Sequence, residues 1–479
     1  MRHRSITWPL AGLALLLAAC AARPPLADSA AAPVAASSTA QGAPAAPNPA
    51  AQAAQPIPAG PADLLRDCPT GLPTGTRCYA GKDSEGAYFW VAIPADWNRV
   101  LVMHAHGGPE LGAPTLERAT EDLQRWSVTV KAGFAWAGST YRRGGYGVTM
   151  AAEDTERLRR WFVANFGAPR RTLLHGQSYG GGVASKAAEI YARVDGRKGP
   201  YDGLLLTSGV LGGGTRAYDY RLDLRVIYQY VCGNMPGPGE AAYPLWEGLP
   251  AGAKLTREDL RRRVDECTGV LHPPAERSAQ QRANLKRILD TVRIPERSLL
   301  PNMQWSTYMF RDMVEKRLDG GNPFGNIGAV YSGSGDDALL NARVLRYRAD
   351  PQAYAKLAAD SDPTGKVEIP TLNLHAINDP TAFVELESVY RGVRERAGTA
   401  DLLVQTFSRE SEHSFLSAPE YAALFAALMS WVDDGRKPTP ASVAASCGQY
   451  EAAFGSGCHF DPAFHPAPLD SRVPTRERP

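Results

Sequence analysis

Gly176-Gln177-Ser178-Tyr179-Gly180 sets a serine between two glycines, and the flanking residues fit what such a serine needs. Residues 171–175 read as a short buried strand. From Gly181 onward come small residues, then Val183, Ala187, Ala188 and Ile190 at helical spacing. A serine pinned on a tight strand-to-helix turn has its hydroxyl pushed out above a sheet. The N–H of the following residue, Tyr179, is then free to hold an oxyanion. The chemistry is nucleophilic attack on a carbonyl.

A serine hydroxyl needs a base to take its proton, and the base needs a carboxylate to hold its tautomer. Residues 369–375 read as a strand, and the loop after it carries Asp379 beside Pro380. Asp-Pro also initiates turns, but a position just past a strand end is where side chains that do chemistry collect in open parallel sheets. Residues 402–407 read as a further strand, and His413 lies in the polar loop behind it. The chain order serine, acid, histidine follows: Ser178, Asp379, His413. The other histidines are worse placed. His104 and His175 fall in or beside strands, and His375 precedes the acid. His3 lies in the leader, and His272, His459 and His465 lie in an insertion and the tail. Glu410 and Glu412 stand too close in sequence to His413 to reach behind its ring.

Residues 99–105 form a strand-like run that ends in His106-Gly107-Gly108-Pro109-Glu110. Glycines after an early strand let the backbone approach a substrate carbonyl closely, with N–H groups that no side chain obstructs. The expected oxyanion donors are one of Gly107 or Gly108 together with Tyr179.

With these segments in sequence, residues 88–435 resemble an α/β-hydrolase. That resemblance implies an α/β-hydrolase fold, a mostly parallel doubly wound sheet with a largely helical cap insertion, and acyl transfer to water as the usual chemistry. The HGGP run, the stretch from Ser139 to Gly147 and Gly176-Gln177-Ser178-Tyr179-Gly180-Gly181 also resemble the catalytic domain of prolyl-oligopeptidase-like peptidases. Those peptidases carry a large propeller ahead of the hydrolase domain, for which residues 62–87 leave no room. Glu110 likewise departs from the HGGPG of proline iminopeptidases. Three readings remain at this point: a serine esterase acting on a small-molecule ester, a serine exopeptidase acting on a short peptide, and a ligand-binding surface lipoprotein on a hydrolase scaffold.

Strands are predicted near residues 88–94, 99–105, 134–140, 171–175, 203–208, 371–375 and 402–407, with helices including 152–166 and 418–432 between or after them. Strands alternating with helices argue for a doubly wound core. The alternation stops between Leu211 and Glu368, where helical stretches such as 257–266 and 279–292 are expected. The chain therefore divides into 1–20, a leader; 21–61, a tether; 62–211 and 369–435, two halves of one core; 212–368, a cap insertion; and 436–479, a tail. Most aromatic residues of the insertion are expected to form its own core, and a minority to line an apolar pocket.

Forty-four per cent hydrophobic residues supply ample core for a chain of 479. A net charge of +2 gives no reason to expect nucleic acid as a partner. No phosphate loop, CxxC pair or HExxH pattern is present, and no metal and no cofactor are expected, since Ser-His-Asp chemistry requires neither.

Arg2, His3 and Arg4 followed by a short apolar run from Leu10 to Ala19 read as an export leader, too short to span a membrane. Its end, Leu17-Ala18-Ala19-Cys20, resembles the lipobox of bacterial lipoproteins. That implies lipidation of Cys20 and a membrane anchor, and Ala21 in place of aspartate favours the outer membrane of the cell envelope. Residues 21–61 are almost wholly Ala, Pro, Ser, Gln and Gly, the composition of a flexible tether. Beyond Cys20 stand six cysteines, an even number that in an oxidising compartment suggests up to three disulfides. Proximity favours Cys68–Cys78, Cys232–Cys267 and Cys447–Cys458.

Overall fold

The computed structural model of the chain describes residues 59–413 and 416–479. The leader, Cys20 and nearly all of the expected tether lie outside the described residues.

Eleven strands are present among the described residues: β1 (Leu65–Arg66), β2 (Arg77–Lys82), β3 (Tyr88–Ile93), β4 (Val100–Ala105), β5 (Ala135–Ser139), β6 (Arg171–Gln177), β7 (Arg193–Val194), β8 (Arg197–Lys198), β9 (Gly203–Thr207), β10 (Thr371–Ala376) and β11 (Leu403–Ser408). β7 and β8 form a small hairpin of their own. The other nine make one sheet in the order β1-β2-β3-β5-β4-β6-β9-β10-β11. From β5 to β11 every neighbouring pair is parallel, whereas β3 runs antiparallel to both β2 and β5. The sheet is mixed and mostly parallel, and the fold is that of an α/β-hydrolase.

The central strands are apolar on both faces because both faces are covered. Leu101 and Met103 of β4, Leu174 of β6 and Leu204 and Leu206 of β9 join the core that includes the helices Val148–Phe166 and Tyr179–Ile190. Their neighbours Val100, Val102, Leu173 and Leu205 point the other way, toward the helix Ala418–Asp434. This period of two, apolar on either side, is what the parallel strands carry in the sequence.

The helix expected over 152–166 starts earlier, at Val148. Its first N–H groups, of Val148 and Thr149, each donate to the carboxylate of Asp360 at 3.0 Å. The cap comes from more than 200 residues away, so nothing local in the sequence marks it. β2 was not expected either, since its apolar centre is only three residues long inside charged ends.

No sheet strand stands between Thr207 and Thr371 among the described residues. That interval is helical, with Asp219–Cys232, Arg257–Thr268, Ala279–Val292 and Leu299–Arg317 as its longer elements. Tyr218, Tyr220, Tyr228 and Phe310 are buried there, while Trp305 and Tyr308 are only partly so.

Disulfides join Cys68 to Cys78, Cys232 to Cys267 and Cys447 to Cys458, the pairing that proximity favours. The last one closes the tail. Beyond it, Phe460 bridges to Ser408 at the end of β11. The chain end then reaches the helical insertion, where Arg476 pairs with Asp219 and Asp223 and Arg478 pairs with Asp219.

Candidate active site

Gly107 and Gly108, Ser178, Asp379 and His413 follow the carboxyl ends of the parallel strands β4, β6, β10 and β11, where an open sheet presents its crevice. Ser178 follows β6 and heads the helix Tyr179–Ile190, with φ 56° and ψ −124°. That backbone is a strained one for a residue with a Cβ. It is held by hydrogen bonds on both sides: Ser178 N–H donates to Thr207 O at 3.0 Å, and Ser178 O accepts from Gly181 and Val210 N–H at 2.9 Å. The two glycines of the motif are there for space. A Cβ on Gly176 would overlap the Gly180 carbonyl, and one on Gly180 would overlap the carbonyl of Ala105 at the end of β4.

Asp379 follows β10 and His413 follows β11. His413 Nδ1 lies 2.8 Å from Asp379 Oδ2 and 3.0 Å from Oδ1, and its Nε2 lies 2.6 Å from Ser178 Oγ. A carboxylate only accepts, so the ring proton sits on Nδ1 and the Nε2 lone pair faces the serine. Asp379 is 4% exposed and its Oδ1 also accepts from Thr381 and Ala382 N–H at 2.8 and 2.9 Å. Gln177 supports the histidine loop from below, its Nε2 donating to His413 O at 3.4 Å.

Gly107 abuts the serine: a Cβ on it would come within 3.1 Å of Ser178 Cβ. Gly108 has φ +70°, a conformation glycine adopts at no steric cost. The carbonyl of Gly107 accepts from Arg118 Nη2 at 2.8 Å and contacts His106 Nδ1 at 2.9 Å, which fixes the plane of the Gly107–Gly108 peptide. The N–H groups of Gly107, Gly108 and Tyr179 find no acceptor among the described residues. His106 stacks on Tyr141, and burial first, then the charge of Arg118, lowers its pKa to about 4, so it is neutral at pH 7.

Two supports were not visible in the sequence. Arg118 lies on the helix Leu116–Arg125, whose pattern marks a face but not a contact with Gly107. His375, at the end of β10, is fully buried; its Nδ1 lies 2.9 Å from Glu387 Oε1, and its Nε2 lies 2.8 Å from Ala382 O and 3.6 Å from Asp379 Oδ2. Burial pulls the His375 pKa down, but the hydrogen bond and charge of Glu387, with Asp379, outweigh it and leave the pKa raised. Glu387 is the second residue of the helix Leu386–Arg396 and belongs to no recognisable motif, so no sequence signal pointed to it. The remaining histidines have other partners. His104 and His175 pair in the core at 3.0 Å, and His459 pairs with Glu410 at 2.7 Å.

No family model matches the chain, and no curated protein matches it. Solved structures similar to it include a rice cell wall degrading esterase from Xanthomonas oryzae, 15% identical, covering 79% of this chain and 90% of that one at a TM-score of 0.34. Feruloyl esterase B from Aspergillus oryzae is 13% identical over 78% of this chain and 86% of its own, with a TM-score of 0.38. A puromycin hydrolase is 13% identical over 76% and 40%, with a TM-score of 0.37.

A cleft of about 440 Å³ opens beside the glycine segment. It is lined by Pro109, Glu110 and Leu111 on one side and by helical residues including Arg257, Trp305, Tyr308 and Met309 on the other. Its wall starts two residues from Gly107, which touches the serine. A smaller cavity of about 230 Å³ lies between Arg143 and Arg317, and neither it nor the cleft is lined by Ser178, Asp379 or His413. Among the described residues no cluster of His, Cys, Asp and Glu has a metal-holding arrangement.

Proposed function

We propose that the protein is a serine hydrolase that cleaves carboxylic esters. The observation that carries this reading is the 2.6 Å contact between Ser178 Oγ and His413 Nε2, with Asp379 2.8 Å behind the ring. His413 takes the proton of Ser178 as Oγ forms a bond to the substrate carbonyl carbon. Asp379 holds the ring and balances the imidazolium charge. The backbone N–H of Gly107 or Gly108 and that of Tyr179 receive the oxyanion, at a few kcal/mol of barrier per donor. The bond to the alcohol breaks, His413 gives that oxygen its proton, and an acyl group remains on Ser178. Water, deprotonated by His413, then attacks the acyl carbon and releases the acid and the free serine.

The helices of residues 212–368 act as a cap over this site, and the aromatic rings in the cleft favour an apolar or aromatic ester. Lipidation of Cys20 anchors the enzyme to the outer membrane, with residues 21–61 as a tether. Matched esters and amides with one acyl group test the reaction class. Ester cleavage is expected to be faster; amide cleavage that outpaces it contradicts the esterase reading and favours an exopeptidase.

A further inference from the structure

Arg221 is 4% exposed and has no carboxylate partner among the described residues, an expensive state for a charge unless something else compensates it. Its Nε–H donates to Asn302 Oδ1 at 3.2 Å. Its Nη1 and Nη2 groups have no hydrogen-bond partner among the described residues, yet neither is sealed from solvent. Three aromatic faces surround the guanidinium: Trp305 at 4.1 Å, Tyr220 at 4.8 Å and Tyr218 at 5.2 Å. Such contacts hold the cation but do not satisfy its forked donors.

The acids that could have neutralised Arg221 are turned away. Asp219 and Asp223 stand two residues to either side on the same helix and therefore on other faces. Both are taken by the chain end: Arg476 Nη2 lies 2.6 Å from Asp223 Oδ2, and Arg478 Nη2 lies 2.7 Å from Asp219 Oδ2. The face carrying Arg221 is left cationic.

The neighbours of Arg221 connect that face to the cleft and to the serine and acid loops. Trp305, on which the guanidinium stacks, lines the cleft that begins at Pro109. Asn302 Oδ1, which accepts from Arg221, also accepts from Tyr220 OH at 2.9 Å; that hydroxyl lies 2.9 Å from Thr381 O as well, and Thr381 N–H donates to Asp379. On the other side, the Tyr218 ring packs on Tyr146, and Tyr146 packs on Tyr179, the neighbour of the serine.

We propose that Arg221 is the anion anchor of the substrate cleft: the substrate carries a carboxylate besides its scissile ester, next to an apolar or aromatic body. A carboxylate matches the planar guanidinium fork in two parallel hydrogen bonds. Its body packs against the ring of Trp305. This rests on the hydrolase reading and narrows it to monoesters of diacids and similar anionic esters.

The test is competition against labelling of Ser178 by a neutral fluorophosphonate, with hydrocinnamate and its uncharged amide, hydrocinnamide, as competitors. In the wild-type protein the carboxylate is expected to protect at concentrations roughly 10- to 100-fold below the amide, the ratio that hydrogen bonds to a charged group give. In Arg221→Met that ratio should fall to about 1, and in Arg221→Lys, which keeps the charge and loses the fork, it should lie between. Reading a ratio within each variant cancels any general loss of reactivity. If Arg221→Met does not fold, the wild-type and Arg221→Lys ratios decide. A labelled wild type that the carboxylate protects no better than the amide overturns the anchor and leaves the hydrolase standing. Folded wild-type protein that is not labelled at all overturns both.

Discussion

Asp379 faces His413 with both carboxylate oxygens but holds the backbone with one: Oδ2 lies 2.8 Å and Oδ1 3.0 Å from His413 Nδ1, while Oδ1 alone also takes the N–H groups of Thr381 and Ala382. Asp379→Asn shows what this arrangement does. The amide oxygen will keep the two backbone donors, which turns the NH2 group toward Nδ1. The closer of the two contacts to Nδ1 is then a donor, which favours the tautomer with its proton on Nε2, facing the serine it should deprotonate. Ester turnover is expected to fall on the order of 10³- to 10⁴-fold, with the fold retained by circular dichroism. A loss of less than about tenfold would mean that Asp379 does not orient the base.

The elbow glycines make a steric prediction. Gly180→Ala drives a methyl group into the carbonyl oxygen of Ala105, which is fixed in the sheet and cannot give way. The variant should lose at least about 2 kcal/mol of stability and most of its serine reactivity together. Thermal denaturation and fluorophosphonate labelling of the same preparation check both. By contrast, Gly182→Ala, two residues further along the same helix, meets only ordinary contacts and should retain both.

Most strands of the sheet, the serine turn, and the positions of the acid and histidine loops were legible because each is local. A run of apolar residues, two glycines around a serine, and polar loops at strand ends are all written within about ten residues. What stayed hidden is what depends on distant partners. Asp360 caps a helix that starts at Val148, Arg118 pins Gly107, and Glu387 holds His375 beneath the acid. The tail arginines that occupy Asp219 and Asp223 are some 250 residues away from them, and an isolated Arg-Glu-Arg-Pro end gives no hint of a partner. Spacing in sequence carries none of that information; packing does.

Glu420 gives a pH-dependent stability that can be isolated. It is buried beneath the tail, with Oε1 accepting from Ser408 Oγ and His459 N–H. Burial raises its pKa from 4.5 to about 7 despite those bonds. Between these values the folded state binds the proton and the unfolded state does not, so stability is full below about pH 4.5 and is lost as pH rises through 7. Glu420→Gln, which keeps an acceptor and cannot ionise, should therefore gain on the wild type as pH rises, by a few kcal/mol at pH 8 and by little at pH 4. Denaturant midpoints at the two pH values measure this; an equal effect at both would contradict it.

The Cys232–Cys267 bond ties the end of one insertion helix to another across 35 residues. Replacing both cysteines with serine should cost about 2–4 kcal/mol. Because the bond lies in the insertion and not in the sheet, the loss should appear with serine reactivity retained at low temperature. Equal denaturation midpoints with and without the bond would show that the insertion is held by packing alone.

The central claim is an activated Ser178. The direct measurement is covalent labelling of residues 62–479, purified without the leader and tether, by a fluorophosphonate, beside Ser178→Ala and His413→Ala. The account predicts rapid labelling of the wild type, none in Ser178→Ala, and a rate reduced on the order of 10³-fold or more in His413→Ala, with all three folded. Labelling that persists in Ser178→Ala, or a folded wild type that does not react, would contradict it.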